Sequence, residues 1–171
     1  KETEGETWMQ RRYDGYFKVD ETDETDASAR QLRQGIEVVG ATDAVAVFVF
    51  HRTKGILLIE QERVPLVSEE NPTGRLLEVV AGRFDRETTL VELITNELRE
   101  EAGIEIAEGG GVFPIIFPHR NPLATSPGMT SERIFLAYVE VEDIHLRGSD
   151  DDTFGLAEEG ERIKRRWLSV D

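Results

Sequence analysis

The sequence contains no cysteine. Disulfides, thiolate metal sites and cysteine nucleophiles are therefore excluded, and a reducing cytosol suits the chain. Histidine is nearly as scarce: His51, His119 and His145 stand far apart in sequence. No metal spacing links them, so each is read as structural or exposed. Long apolar runs are also missing. The longest, AVAVFVF at residues 44–50, is far too short to span a membrane and reads as a buried strand. No signal-peptide pattern is visible, so a cytoplasmic location is the expectation. The chain begins at Lys1 rather than Met, and the natural N-terminus is expected upstream. Positive charge is in deficit, with 20 Lys and Arg against 35 Asp and Glu and a net charge of -15. That balance disfavours a nucleic-acid backbone or an anionic membrane as partner. A phosphorylated ligand would need local arginines or divalent cations.

What is present suits one domain with a sizeable core, since 39% of the 171 residues are hydrophobic. Residues 1–35 are polar and mixed, with strand character around Tyr13 to Val19 and then an acidic, Thr-rich flexible loop. They are expected to form an N-terminal hairpin or arm, with a second unit over residues 36–171. From Ile36, IEVVG, DAVAVFVFHR and GILLIEQERV read as strands. NPTG (residues 71–74) is a turn, and RLLEVVAG a further strand. TLVELITNELREEAG is the one strong helix, with Thr89 and Glu92 in a capping-box pattern and Gly103 placed to end it. VFPIIFPH, ERIFLAYVEV and RIKRRWLSV read as later strands, and no internal repeat is visible. Many strands around one helix give an α+β class, a mixed sheet with a helix packed on it.

The helix ends in NELREEAG, residues 96–103. With Leu90 at zero and about 100° per residue, the core-facing arc holds Leu93, Ile94, Leu98, Val91 and Ala102. Glu97, near about 340°, and Glu101, near about 20°, fall inside that stripe, one turn apart. Glu100 sits at its edge and Arg99 points to solvent. A solvated charge run accounts for Arg99 and Glu92 but gives Glu97 and Glu101 the wrong azimuth. Carboxylates facing a core are costly unless paired or bound to metal. The C-terminal half of a helix disfavours them further. Hard oxygens clustered this way suit Mg²⁺ or Mn²⁺, which bridge to substrate phosphates.

From Gly82 the segment reads GRFDRETTLVELITNELREEAGI, which resembles the Nudix box. Gly82, Glu97, Leu98, Glu100, Glu101, Gly103 and Ile104 match at the expected spacing. Thr88 stands where the pattern has its first Glu, with Glu87 beside it, and Asn96 where it has Arg. EQERVP, LLEVVAG, SPGMTSER (residues 126–133) and GLAEEGERI (residues 155–163) are similar to the ADP-ribose pyrophosphatase, or nucleoside diphosphate sugar hydrolase, branch. The resemblance implies an α/β/α sandwich with a mixed β-sheet and an N-terminal sheet that helps build a homodimer. The branch usually carries a C-terminal helix after a WLS-like strand, and this sequence stops at Asp171, so that helix is expected to be absent. It also implies that Glu97 and Glu101 ligate divalent metal, with Glu100 supporting or joining them and the Ala81 carbonyl as a further ligand. Glu159 and Glu161 match the positions of the general base and another metal ligand; Glu159 is favoured as base, although the two can exchange roles. Arg63 matches a substrate-contacting arginine, and Glu78 lies on the strand leading into the box. The paired Glu and Arg of the box are expected to brace the cluster, and Thr88 and Asn96 can hydrogen-bond in their place.

The implied activity is Mg²⁺- or Mn²⁺-dependent hydrolysis of ADP-ribose or a related nucleoside diphosphate sugar. A catalytically weak nucleotide-binding or regulatory module of the same fold is the second hypothesis, and a structural protein assembling through its N-terminal arm the third. SPGMTSER offers Ser131, Glu132 and Arg133 as substrate contacts beside the site, against the plainer reading of a loop entering a strand. SDDDT (residues 149–153) lacks calcium-loop spacing and reads as a mobile acidic loop. GGG (residues 109–111) lacks the P-loop lysine and reads as a turn. RIKRR (residues 162–166) reads as a strand with one basic face.

Overall fold

The computed structural model describes residues 9–14, 18–22, 37–85, 87–106 and 122–170. The expected strand VFPIIFPH, the GGG turn and His119 lie outside the described residues. The chain divides into two compact units, one of residues 1–43 and 123–134, the other of residues 44–122 and 135–171.

In the first unit, β1 (Met9–Asp14), β2 (Lys18–Thr22) and β3 (Glu37–Gly40) form an antiparallel sheet in that order. The SPGMTSER loop is tied to β3. The Val39 N–H donates to the Met129 carbonyl at 2.8 Å, and the Ser131 N–H donates to the Val39 carbonyl at 3.2 Å.

The second unit is built on a hairpin of β4 (Ala44–His51) and β5 (Gly55–Glu62). The two strands pair only near their turn, from Val49↔Leu57 to His51↔Gly55. Beyond that they fork, and β6 (Arg75–Glu78) and β7 (Val80–Arg83) fill the gap: β6 pairs with β5, and β7 with β4. RLLEVVAG is therefore not one straight strand. It breaks at Val79 and changes partner there, which a uniform apolar run does not announce. The free edges of the hairpin take β9 (Arg133–Val141), on β4, and β10 (Lys164–Leu168), on β5. The first two residues of β9 belong to the first unit, where they pair with β8 (Leu123–Ala124).

One helix, α1 (Leu90–Ala102), packs chiefly on β7. Its start is the expected capping box: Thr89 Oγ1 accepts from the Glu92 N–H, and the Glu92 carboxylate accepts from the Thr89 N–H at 2.8 Å. Its end is Gly103 at φ +58°, a left-handed position that suits glycine. Leu93, Ile94, Leu98 and Ala102 join Val45, Val47, Leu57, Ile59, Val80, Val139 and Ile163 in the core. Val91, expected on the core arc, is 52% exposed, although Ala102 at nearly the same azimuth is fully buried. Leu90 and Leu93 on either side of it pack on the core, so azimuth alone does not bury Val91. The fold class is the expected Nudix-type α+β.

Candidate active site

Glu101 is only 6% exposed, and Glu97 is half-buried one turn before it, where the helical azimuth puts them. A Glu101 carboxyl oxygen accepts the Ala81 N–H at 3.1 Å, which seats α1 on β7 through a side-chain-to-backbone hydrogen bond. A Cβ on Gly82 would overlap the Glu97 carboxylate, so the box glycine is the floor on which that side chain lies. Burial pushes the Glu101 carboxyl up to about 8; the Ala81 N–H opposes the shift, while Glu97, Glu161 and Glu78 add to it by repulsion. Glu97 on α1, Glu161 on the late loop and Glu78 on β6 thus all oppose ionisation of Glu101.

Glu161 is held by its loop. Its carboxylate accepts the Leu156 N–H at 2.9 Å and so closes the turn around the short 3-10 segment Ala157–Glu159. That loop is fastened to the helix, because the Gly155 N–H donates to the Glu100 carbonyl at 2.8 Å. Glu159 ends the 3-10 segment; its side chain lies outside the described atoms. Glu100 turns to the surface, where its carboxylate meets Arg99 Nη2 at 3.1 Å. Arg63 is clamped by Glu78, whose Oε1 accepts from Arg63 Nε at 2.9 Å and lies 2.7 Å from Nη2. The same oxygen accepts from Gln61 Nε2 at 2.6 Å.

Ser131, Glu132 and Arg133 belong to the first unit. There Ser131 Oγ accepts the Ala41 N–H at 3.2 Å, the Glu132 N–H donates to Thr130 Oγ1 at 3.1 Å, and Arg133 lies 3.5 Å from Asp43. Thr88 and Asn96 do not bond to each other. Thr88 Oγ1 donates to Glu92 at 3.3 Å, and Asn96 accepts from Arg99 at 3.2 Å. Each instead bonds to a residue three or four positions along the chain, so the expected substitute for the brace is not built.

As for a cation, the donor set fits in kind: hard carboxylate oxygens, a backbone carbonyl, and a buried Glu101 whose ionisation is opposed by like charges. Among the described residues, no three His, Asp or Glu side chains are already arranged as a cage. For a cation to be held here, some carboxylates would have to turn toward it.

Two residues of this region escaped sequence reasoning. Gln61 is buried and holds Glu78; the alternation of Gly55, Leu57 and Ile59 on the inner face of β5 is the signal that marks it. Arg165 is buried as well, so RIKRR is not basic on one face only. Lys164 and Arg166 point one way, with Arg166 on Glu60, while Arg165 shares the inner side with Ile163. SDDDT also differs from expectation. Asp150 takes Lys54 at 2.7 Å and the Trp167 N–H at 3.0 Å, and Asp152 accepts the Ser149 N–H at 2.8 Å, so the stretch is a hydrogen-bonded turn. His51 is buried, its Nδ1 accepting the Thr53 and Lys54 N–H groups at the β4–β5 turn.

The resemblance read from the sequence agrees with the known proteins to which this chain is similar. The chain is 33% identical to a GDP-mannose pyrophosphatase of Yersinia enterocolitica over 91 residues, which cover 53% of this chain and 46% of that protein. It is 34% identical to the Cronobacter sakazakii GDP-mannose pyrophosphatase over 113 residues, 66% of this chain and 54% of the relative. It is 30% identical to an ADP-ribose pyrophosphatase of Haemophilus influenzae over 129 residues, 74% of this chain and 54% of the relative. The chain spans about half the length of the curated relatives it matches. No family model matches it.

Proposed function

We propose that this chain carries the catalytic centre of a divalent-cation-dependent pyrophosphatase. Its substrate class is the nucleoside diphosphate sugars, with GDP-mannose and ADP-ribose the first candidates. Water adds to one phosphorus, the P–O–P bridge breaks, and a nucleoside monophosphate and a sugar phosphate leave. The observation that carries this reading is Glu101, 6% exposed on the core face of α1 and bonded to the Ala81 N–H, with Glu97 one turn before it lying over Gly82.

In this reading the Ala81 carbonyl, Glu97, Glu101 and Glu161 hold Mg²⁺ or Mn²⁺, with Glu100 supporting them. Such ions, when bound, neutralise the two phosphates and acidify an attacking water. Glu159 takes the proton as general base, with Glu161 the alternative. Arg63, kept extended by Glu78, offers its remaining N–H groups to a phosphate. The resemblance also supports a homodimer.

A second reading, a nucleotide-binding module with little turnover, is favoured by the local bonding of Thr88 and Asn96. A panel of ADP-ribose, ADP-glucose and GDP-mannose, with and without Mg²⁺, separates the two. Metal-dependent release of a nucleoside monophosphate, lost in Glu101→Gln, supports the enzyme. Nucleotide binding without products supports the module.

A further inference from the structure

Arg165 lies on the inner side of β10, 2% exposed, between Ile163 and Trp167. A buried guanidinium is costly unless its donors are satisfied, and an apolar side chain of similar volume would avoid that cost. Its partners come from separate segments. Nη1 donates to the carbonyl of Ala102, the last residue of α1, at 3.2 Å. Nη2 donates to the Gly148 carbonyl at 3.1 Å, and Nε, which makes no hydrogen bond, lies 3.3 Å from Asp150 Oδ1 as an ion pair. The guanidinium also sits over the Phe154 ring, 4.7 Å from its centroid. Phe154 opens the late loop, and its backbone pairs with Ile163, which closes it. The next residue, Gly155, bonds to Glu100, and Leu156 bonds to the Glu161 carboxylate. One side chain therefore touches the end of the helix that carries Glu97 and Glu101 and the base of the loop that carries Glu159 and Glu161.

We propose that Arg165 is a positioning residue, locking the late loop in register with the last turn of α1 so that carboxylates from the two segments meet. Its catalytic consequence rests on the pyrophosphatase reading; the locking itself does not. The signal for such a role is the number of segments joined: a residue that only filled the core would not need acceptors on both the helix end and the loop before Phe154.

The test compares the full chain with Arg165→Lys and Arg165→Met by amide hydrogen exchange and steady-state kinetics. The Gly155 and Leu156 amides are expected to exchange about tenfold faster in both variants, with the β4 amides unchanged, as local opening requires. With a nucleoside diphosphate sugar, kcat is expected to fall about 10- to 100-fold and KM to move less than about threefold, with Lys between Met and the natural chain. Lys54→Met, which removes a partner of Asp150 away from α1, leaves kcat unchanged. Unchanged exchange at Gly155 and Leu156 overturns the proposal, as does equal acceleration throughout β4, the mark of a general stabiliser. If Arg165→Met does not fold, Arg165→Lys decides. If the natural chain turns nothing over, the pyrophosphatase reading fails and exchange alone judges the lock.

Discussion

A carboxyl buried among other carboxylates keeps its proton into the mildly alkaline range unless a cation replaces it. Glu101, raised from 4.5 to about 8, is such a group. The sign follows from linkage. A raised folded-state value favours the protonated form, so its stabilisation is complete below about pH 4.5 and is lost as pH rises through about 8. The metal-free protein should therefore melt at lower temperature at about pH 8.5 than at about pH 6, and added Mg²⁺ should raise the melting temperature more at the higher pH. Calorimetry at the two pH values checks this, and a flat profile without metal would remove Glu101 from the explanation. Gly82 supplies a separate test. An added Cβ would overlap Glu97 from Cγ outward, so in Gly82→Ala the whole side chain must take another rotamer, at a cost of about 1–3 kcal/mol. Displacing a ligand in this way should weaken Mn²⁺ binding by about 10- to 100-fold, measured by titration calorimetry.

At the scale of elements, α1 was the most legible part of the chain. Thr89, Glu92 and Gly103 mark both ends, and the heptad-like spacing of Leu93, Ile94 and Leu98 set the azimuth that exposed Glu101 as an inward carboxylate. Thr89→Ala should cost about 1 kcal/mol in urea denaturation and leave cation binding intact, because the cap lies at the far end of the helix from Glu101. Less was readable where tertiary pairing decides. The break at Val79 follows from the fork between β4 and β5, which is a long-range event. Val91 has the right period but stays exposed, while Leu90 and Leu93 beside it pack on the core. Arg165 looked like one more basic residue in RIKRR, since nothing local shows that a helix carbonyl and a phenyl ring wait for it. Asp150 looked solvated for the same reason; its partners Lys54 and Trp167 are distant in sequence.

For the whole molecule, charge is the governing quantity. A net charge of -15 repels itself and repels an anionic substrate, and cations held at the glutamate cluster, as proposed, would relieve both effects locally. Raising NaCl from low ionic strength should therefore raise the melting temperature of the metal-free protein, through screening, and a fall would contradict that view of its stability. The division into two units, with residues 123–134 joining the N-terminal part, could not be seen in composition, because the loop is bound to β3 by backbone bonds rather than by any motif. The most direct measurement of the central claim is Mn²⁺ binding followed by electron paramagnetic resonance, in the natural chain and in Glu101→Gln. Saturable binding by the natural chain at mildly alkaline pH, weakened at least about tenfold in Glu101→Gln, is the expected result. Equal binding by both proteins, or none by either, would contradict the assignment of the glutamate cluster as a metal centre.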